Sequence, residues 1–100
     1  MSAPVSAPDE AEVLDVVRAA LVRVLGVDGT AVDRDTRLED LGGDSLQLVE
    51  VVEHVEADLA VRTGRPVVVD DDDLARLKTV GDAVAQVREV LRRGPTRRRR

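Results

Sequence analysis

The residue best placed to do chemistry is Ser45, in the stretch Leu41-Gly42-Gly43-Asp44-Ser45-Leu46, where a glycine loop gives way to a helical pattern. Asp44 is a favourable N-cap residue, so Ser45 is predicted to open the first turn of the following helix. Unpaired backbone N–H groups and the positive end of the helix dipole stabilise negative charge there. The serine oxygen is therefore suited to carry an anionic group such as a phosphodiester.

A hydrolytic role for Ser45 requires a base within hydrogen-bond reach of its hydroxyl. The chain has one histidine, His54, which lies nine residues further along the same predicted helix. That spacing corresponds to about 13.5 Å along the helix axis and about half a turn around it. His54 cannot activate Ser45 within one chain, so we interpret it as an exposed helix residue and predict no catalytic residue.

Composition allows one small globular domain and excludes several classes of function. The 100 residues are 43% hydrophobic and include no Phe, Tyr, Trp or Cys, so the core must consist of Val, Leu and Ala. Disulfides and thiolate metal sites are excluded, and any thioester chemistry needs a thiol from outside the chain. The sequence has neither 18 consecutive apolar residues nor a secretory signal at its start, which predicts no membrane insertion and a cytoplasmic location.

The formal net charge of -5 is unevenly distributed along the chain. Residues 92–100 hold six of the 15 basic residues and none of the 20 acidic ones, so residues 1–91 carry a net charge of -11. Such an acidic body repels nucleic acid and anionic lipid and favours basic partner surfaces. The absence of aromatic side chains also removes the stacking groups that single-stranded nucleic acids use, so no nucleic-acid partner is expected.

Hydrophobic periodicity predicts three longer helices and one short helix. They span Asp9 to Leu25, Asp44 to Ala60, Asp73 to Leu77 and Thr79 to Leu91. The run Val67-Val68-Val69 cannot form a sheet alone, so we interpret it as extended chain packed on the helices. The predicted fold class is therefore all-α, a four-helix bundle with a short third helix.

Apolar residues at helical spacing predict which face of each longer helix is buried. In the second helix, Leu46 and Val49 fall off that stripe on the side nearest Ser45, with Glu50 and Glu53 beside them. These four residues, called here the Leu46 face, predict a docking surface for partner enzymes, the alternative being partial burial of Leu46 and Val49 under the preceding loop. The buried stripes are Leu14, Val17, Leu21 and Val24; Leu48, Val51, Val52, Val55 and Leu59; and Val80, Val84, Val87 and Leu91.

The long connection between the first two helices, Val27 to Gly43, needs anchoring or a function in so small a domain. Its apolar anchors are predicted to be Val32, Leu38 and Leu41. At the two ends of the chain, residues 1–8 are predicted to be a disordered lead-in and residues 93–100 a disordered Arg-rich tail. Residues 9–92 then form the folded domain.

The acidic run Asp70 to Asp73 suggests a calcium loop, but its spacing does not fit one. With Asp70 at the first loop position, Leu74, Ala75 and Gly81 fall where oxygen ligands and the invariant glycine are required. The run is better interpreted as a helix start and solvated surface. No metal site is predicted.

In the hexapeptide 41–46 and the helix after it, the chain resembles the acyl and peptidyl carrier proteins. The resemblance covers roughly residues 9–92, and the stretch Leu77 to Val84 is similar to the family's start of the last helix. It implies the acyl-carrier type of four-helix bundle, with 4'-phosphopantetheine from coenzyme A on Ser45. It also implies that Asp44 and Leu46 are read by the phosphopantetheinyl transferase, and that Glu50 serves partner docking.

The resemblance further implies a non-catalytic acyl carrier that holds acyl intermediates as thioesters on the arm. Acyl-loading and acyl-processing enzymes of fatty-acid, polyketide or related secondary metabolism would act on it in trans, and we expect a monomer. Gln47 departs from the acidic residue frequent in fatty-acid carriers, and Glu53 from a frequent apolar contact residue. Gly42-Gly43 is similar to peptidyl carriers of nonribosomal synthesis, so an aminoacyl cargo stays open, as does an unmodified helical adaptor.

Overall fold

The structure, a computed structural model, describes residues 8–70 and 74–93. Three α-helices carry the fold: α1 over Glu10–Leu25, α2 over Ser45–Thr63 and α3 over Val80–Arg93. Two 3-10 helices, Gly29–Ala31 and Leu38–Leu41, lie in the connection between α1 and α2. No strand occurs in the described residues, which confirms the all-α prediction.

The predicted short helix from Asp73 to Leu77 begins outside the described residues. Leu74 is helical, and a turn follows at Ala75 and Arg76. The four-helix count therefore stays a prediction. The predicted disordered lead-in and tail also fall largely outside the described residues, although Arg93, assigned to the tail from the sequence, is the last residue of α3.

Helix α1 begins and ends as the sequence predicts. The Asp9 side chain accepts a hydrogen bond from the Glu12 N–H at 2.9 Å, which caps the first turn. Gly26 ends the helix in the left-handed conformation, with φ of 71°, and donates its N–H to the Val22 carbonyl oxygen.

Helix α2 extends three residues beyond the predicted end at Ala60, so that boundary was wrong. Arg62 pairs with Asp58 on the same helix and with Glu12 on α1, at 3.0 and 3.2 Å. The Thr63 hydroxyl donates to the Leu59 carbonyl oxygen at 2.8 Å. These interactions hold the last turn, and Gly64 then ends the helix with φ of 74°.

The core lies where α1 packs against both α2 and α3. Because α1 has two helical neighbours, its buried face also includes Val16 and Ala20, whereas Leu14 and Val24 are only half-buried. The stripe of α3 is buried as predicted. Val67 and Val69 are buried and Val68 is 72% exposed, which confirms an extended segment packed on the helices.

The connection between α1 and α2 is anchored on the start of α3. The N–H groups of Val80 and Gly81 donate to the carbonyl oxygens of Thr36 and Arg34, both at 2.8 Å. In return, the Leu38 N–H donates to the Lys78 carbonyl oxygen at 2.8 Å. Of the predicted apolar anchors, Val32 and Leu38 are buried and Leu41 is half-buried.

The start of α3 has its own cap. Thr79 and Asp82 form a capping box, because the Asp82 N–H donates to the Thr79 hydroxyl at 3.0 Å and the Thr79 N–H donates to the Asp82 carboxylate at 3.1 Å. None of the described helices is long and apolar enough to cross a membrane.

Candidate functional site

Ser45 is the first residue of α2, and a capping box fixes the turn that carries it. The Asp44 carboxylate accepts the Gln47 N–H at 2.8 Å, and the Gln47 side-chain oxygen accepts the Asp44 N–H at 3.2 Å. Sequence reasoning identified Asp44 as the cap and missed Gln47. The Asp-x-x-Gln spacing, a variant of the capping-box pattern, could have identified it.

The capping box leaves two donors beside Ser45. It satisfies the N–H groups of Asp44 and Gln47, whereas those of Ser45 and Leu46 have no acceptor among the described residues. The Ser45 side chain itself is exposed. An anionic group on the Ser45 oxygen would therefore lie in solvent, beside two free N–H groups and the positive end of a 19-residue helix.

The backbone reaches Ser45 through two glycines with different roles. Gly42 has φ of 84° and its N–H donates to the Glu39 carbonyl oxygen, so it ends the 3-10 helix in a conformation that favours glycine. Gly43 lies against Leu25, the last residue of α1: a Cβ on Gly43 would meet Leu25 Cδ2 at 3.0 Å and Cδ1 at 3.3 Å. The spacing of Leu25 and Gly43 in the sequence does not predict this contact.

The two sides of α2 differ in exposure much as the helical rotation predicts. Val51, Val55 and Leu59 are buried, and Leu48 and Val52 are half-buried. On the Leu46 face, Leu46 is 71% exposed, Val49 is half-buried, and Glu50 and Glu53 are exposed. Leu46, Glu50 and Glu53 are therefore open to solvent next to Ser45, whereas the alternative of partial burial fits Val49 alone.

Within the described part of the chain, no side chain forms a hydrogen bond with the Ser45 hydroxyl. His54 is exposed and lies over a groove between α1 and α2 that Ala19, Ala57 and Val61 also line. No group of His, Asp or Glu residues that could hold a metal ion occurs among the described residues. The chemistry available at Ser45 is thus that of an exposed hydroxyl.

Two of the carboxylates with a lowered pKa lie at the connection between α1 and α2 and at the start of α3. Backbone N–H donors from Lys78 and Thr79 lower the pKa of Asp82, and hydrogen bonds from the Thr30 N–H and hydroxyl lower the pKa of Asp28. Both carboxylates are local caps of the kind that stabilise turns and helix starts in their charged form. Protonation of these carboxylates at low pH therefore weakens the fold around the connection between α1 and α2.

A small apolar cavity of about 30 Å³ lies between α2 and α3. It is lined by side chains of all three helices, among them Val17, Val52 and Val87, and by Leu74 and Leu77 of the intervening segment. This volume is about that of a single water molecule. This cavity is therefore too small for a long acyl chain.

The sequence is similar to known proteins over most of its length. The family described as "Phosphopantetheine attachment site" matches residues 15–87. The acyl carrier protein of Thermotoga maritima is 37% identical over 81 residues, which span 80% of this chain and 93% of that protein. Both matched segments are long enough to include the serine-bearing end of α2 and most of the helical core.

Proposed function

Because the chain belongs to the acyl carrier protein family, whose prosthetic group is 4'-phosphopantetheine, we propose that Ser45 is its attachment residue and that the chain presents acyl groups to biosynthetic enzymes. The observation that carries the proposal is the position of Ser45: exposed, first in α2, and beside two free N–H groups. When bound, the arm supplies a terminal thiol that holds the acyl group as a thioester.

The residues around Ser45 fit a phosphodiester. Attachment joins the Ser45 oxygen to the phosphorus of coenzyme A's pantetheine-side phosphate, while the pyrophosphate bond breaks and the adenosine bisphosphate leaves. The free N–H groups of Ser45 and Leu46 and the positive end of the helix dipole would stabilise the negative charge of the attached phosphate. No described side chain serves Ser45 as a base, so the transferase must supply the group that takes the hydroxyl proton.

Partner enzymes are proposed to dock on the Leu46 face. Its exposed leucine offers an apolar contact, and Glu50 and Glu53 offer charge to a basic partner surface. Because this face is next to Ser45, an enzyme bound there has the arm within reach of its active site. Asp44 and Leu46 are proposed to be read by the phosphopantetheinyl transferase itself.

The cargo is proposed to be an acyl rather than an aminoacyl group, since the similar protein is an acyl carrier protein. Three further points remain predictions from the sequence. They are service to separate enzymes of fatty-acid, polyketide or related metabolism, a monomeric state and a cytoplasmic location. An unmodified helical adaptor has no support from a specific observation, because the free N–H groups and exposed hydroxyl would then have no role.

The test is intact mass after coexpression with a promiscuous phosphopantetheinyl transferase. The wild-type mass should rise by one phosphopantetheine, Ser45→Ala should remove the gain, and Ser6→Ala, a matched control in the lead-in, should retain it. An unmodified wild type with several competent transferases would overturn the proposal in favour of the adaptor, and a modified Ser45→Ala would move the attachment elsewhere.

A further inference from the structure

The segment that leads into Ser45 has few ties to the rest of the molecule. Every hydrogen bond that residues 42–47 make in the described structure stays within that segment, in α2, or with Glu39 in the preceding turn. These bonds fix the shape of the turn but not its place relative to the other helices. Its position relative to α1 therefore depends on packing contacts.

Leu25 makes such a contact. All three of the nearest heavy atoms to a Cβ on Gly43 belong to the Leu25 side chain, at 3.0, 3.3 and 3.8 Å. Leu25 is itself half-buried and packs on the hydrophobic core, as the last residue of α1 before the Gly26 cap. It therefore joins the rigid end of α1 to the backbone two residues before Ser45.

We infer that Leu25 is a positioning residue for Ser45: its side chain, seated on the bare backbone of Gly43, sets where the start of α2 lies relative to α1. The inference rests on the proposed function of Ser45 as the acceptor of phosphopantetheine. Leu25 touches none of the reacting atoms. It acts through Gly43 and Asp44, because the backbone of these two residues sets the position of the Ser45 hydroxyl relative to a bound transferase.

The pairing of side chain and glycine is complementary. A methyl group on Gly43 would stand closer to Leu25 than ordinary van der Waals contact allows, so either Leu25 or the serine-bearing turn must move. Loss of the Leu25 side chain leaves the turn without its support, and the turn can settle closer to α1 or become mobile. Either change misplaces the Ser45 oxygen, and small misplacements of a reacting atom reduce rates strongly.

The experiment measures the steady-state rate of phosphopantetheine transfer from coenzyme A, with kcat and KM determined separately for the carrier substrate. Leu25→Ala and Gly43→Ala should each lower kcat, by up to about tenfold, with a smaller change in KM because the Leu46 face is untouched. The double variant should recover toward the wild-type kcat, because the new methyl group occupies the space that Leu25 left. Leu25→Met, which keeps the bulk, should stay near wild type.

Leu14→Ala is the matched control, since Leu14 is also a half-buried leucine of α1 packed on the core, about three helical turns away from Leu25. It should lower the melting temperature about as much as Leu25→Ala and leave kcat unchanged. If Leu25→Ala and Gly43→Ala load with the wild-type kcat, or if Leu14→Ala loses kcat equally, the positioning role is wrong. A wild type that accepts no arm would instead overturn the proposed function, so the two failures are distinguishable.

Discussion

The N–H of Gly81, in the first turn of α3, donates a hydrogen bond to the Arg34 carbonyl oxygen across 2.8 Å. A Cβ on Gly81 would lie 2.9 Å from that same oxygen, so the approach of the two backbones depends on the absence of a side chain. Arg34 also pairs with Glu10 of α1. One residue of the connection is thereby held between two helices.

The first prediction is that Gly81→Ala destabilises the fold, although alanine favours helices. The gain in helix propensity is at most about 1 kcal/mol, and a clash with backbone cannot be relieved by rotating a side chain. We expect a net loss of about 1–2 kcal/mol in the free energy of unfolding, measured by urea denaturation. Gly29→Ala is the matched control, since its nearest contact is Val22 Cγ2 at 3.4 Å. Equal stabilities of the two variants would contradict the prediction.

The second prediction concerns the capping box at Ser45. Asp44→Ala should lower the free energy of unfolding of the unmodified protein by about 1 kcal/mol, because the Gln47 N–H loses its acceptor. Gln47→Ala should cost less, since the Asp44 N–H that it exposes can bond to water. Gln47→Glu should retain the box, because glutamate can accept the same hydrogen bond. Thermal unfolding followed by circular dichroism measures the stability of all three variants. A melting temperature of Asp44→Ala equal to that of the wild type would contradict the prediction.

The third prediction tests the Leu46 face. Glu50→Lys and Glu53→Lys should slow acyl loading by a basic partner, and more at low salt, where screening is weakest. Leu46→Ala should also slow loading through the loss of an apolar contact. Each reversal should change the free energy of unfolding by only about 0.5 kcal/mol, because both glutamates are exposed.

The control for charge reversal is Asp35→Lys, which changes an exposed acid of the connection instead. Loading rates are measured against salt concentration for every variant, with circular dichroism as the test of the fold. If the glutamate reversals load at wild-type rates at all salt concentrations while Asp35→Lys is slow, the docking face lies on the connection between α1 and α2.

The fourth prediction follows from the lowered pKa of Asp82, whose carboxylate accepts the N–H groups of Lys78 and Thr79 at 3.0 and 3.1 Å. Because the folded-state pKa is below the ordinary value of 3.8, its stabilisation is fully present above that value and is lost as the pH falls through the folded pKa. Asp82→Asn should therefore melt below wild type at neutral pH, and the difference should vanish in strong acid. A difference that is independent of pH would show that the charge plays no part.

Local features of the chain could be predicted from the sequence, because the interactions that create them join residues a few positions apart. Asp44 was identified as a cap because a cap side chain bonds an N–H group only three residues ahead, as the Asp44 carboxylate does with the Gln47 N–H. The buried stripe of α3 followed from helical periodicity alone. The exposed position of Ser45 at the start of α2 is of the same kind, which is why the candidate site was visible in the sequence.

Only the tertiary structure decided how these local elements meet. The last turn of α2 forms because Arg62 reaches Glu12, fifty residues earlier in the chain, as well as Asp58. Leu25 contacts Gly43, and Gly81 approaches Arg34. Each contact joins two segments that are far apart in the sequence, so hydrophobic periodicity does not predict it. Such contacts depend on how whole helices pack against one another, so no spacing in the sequence specifies them.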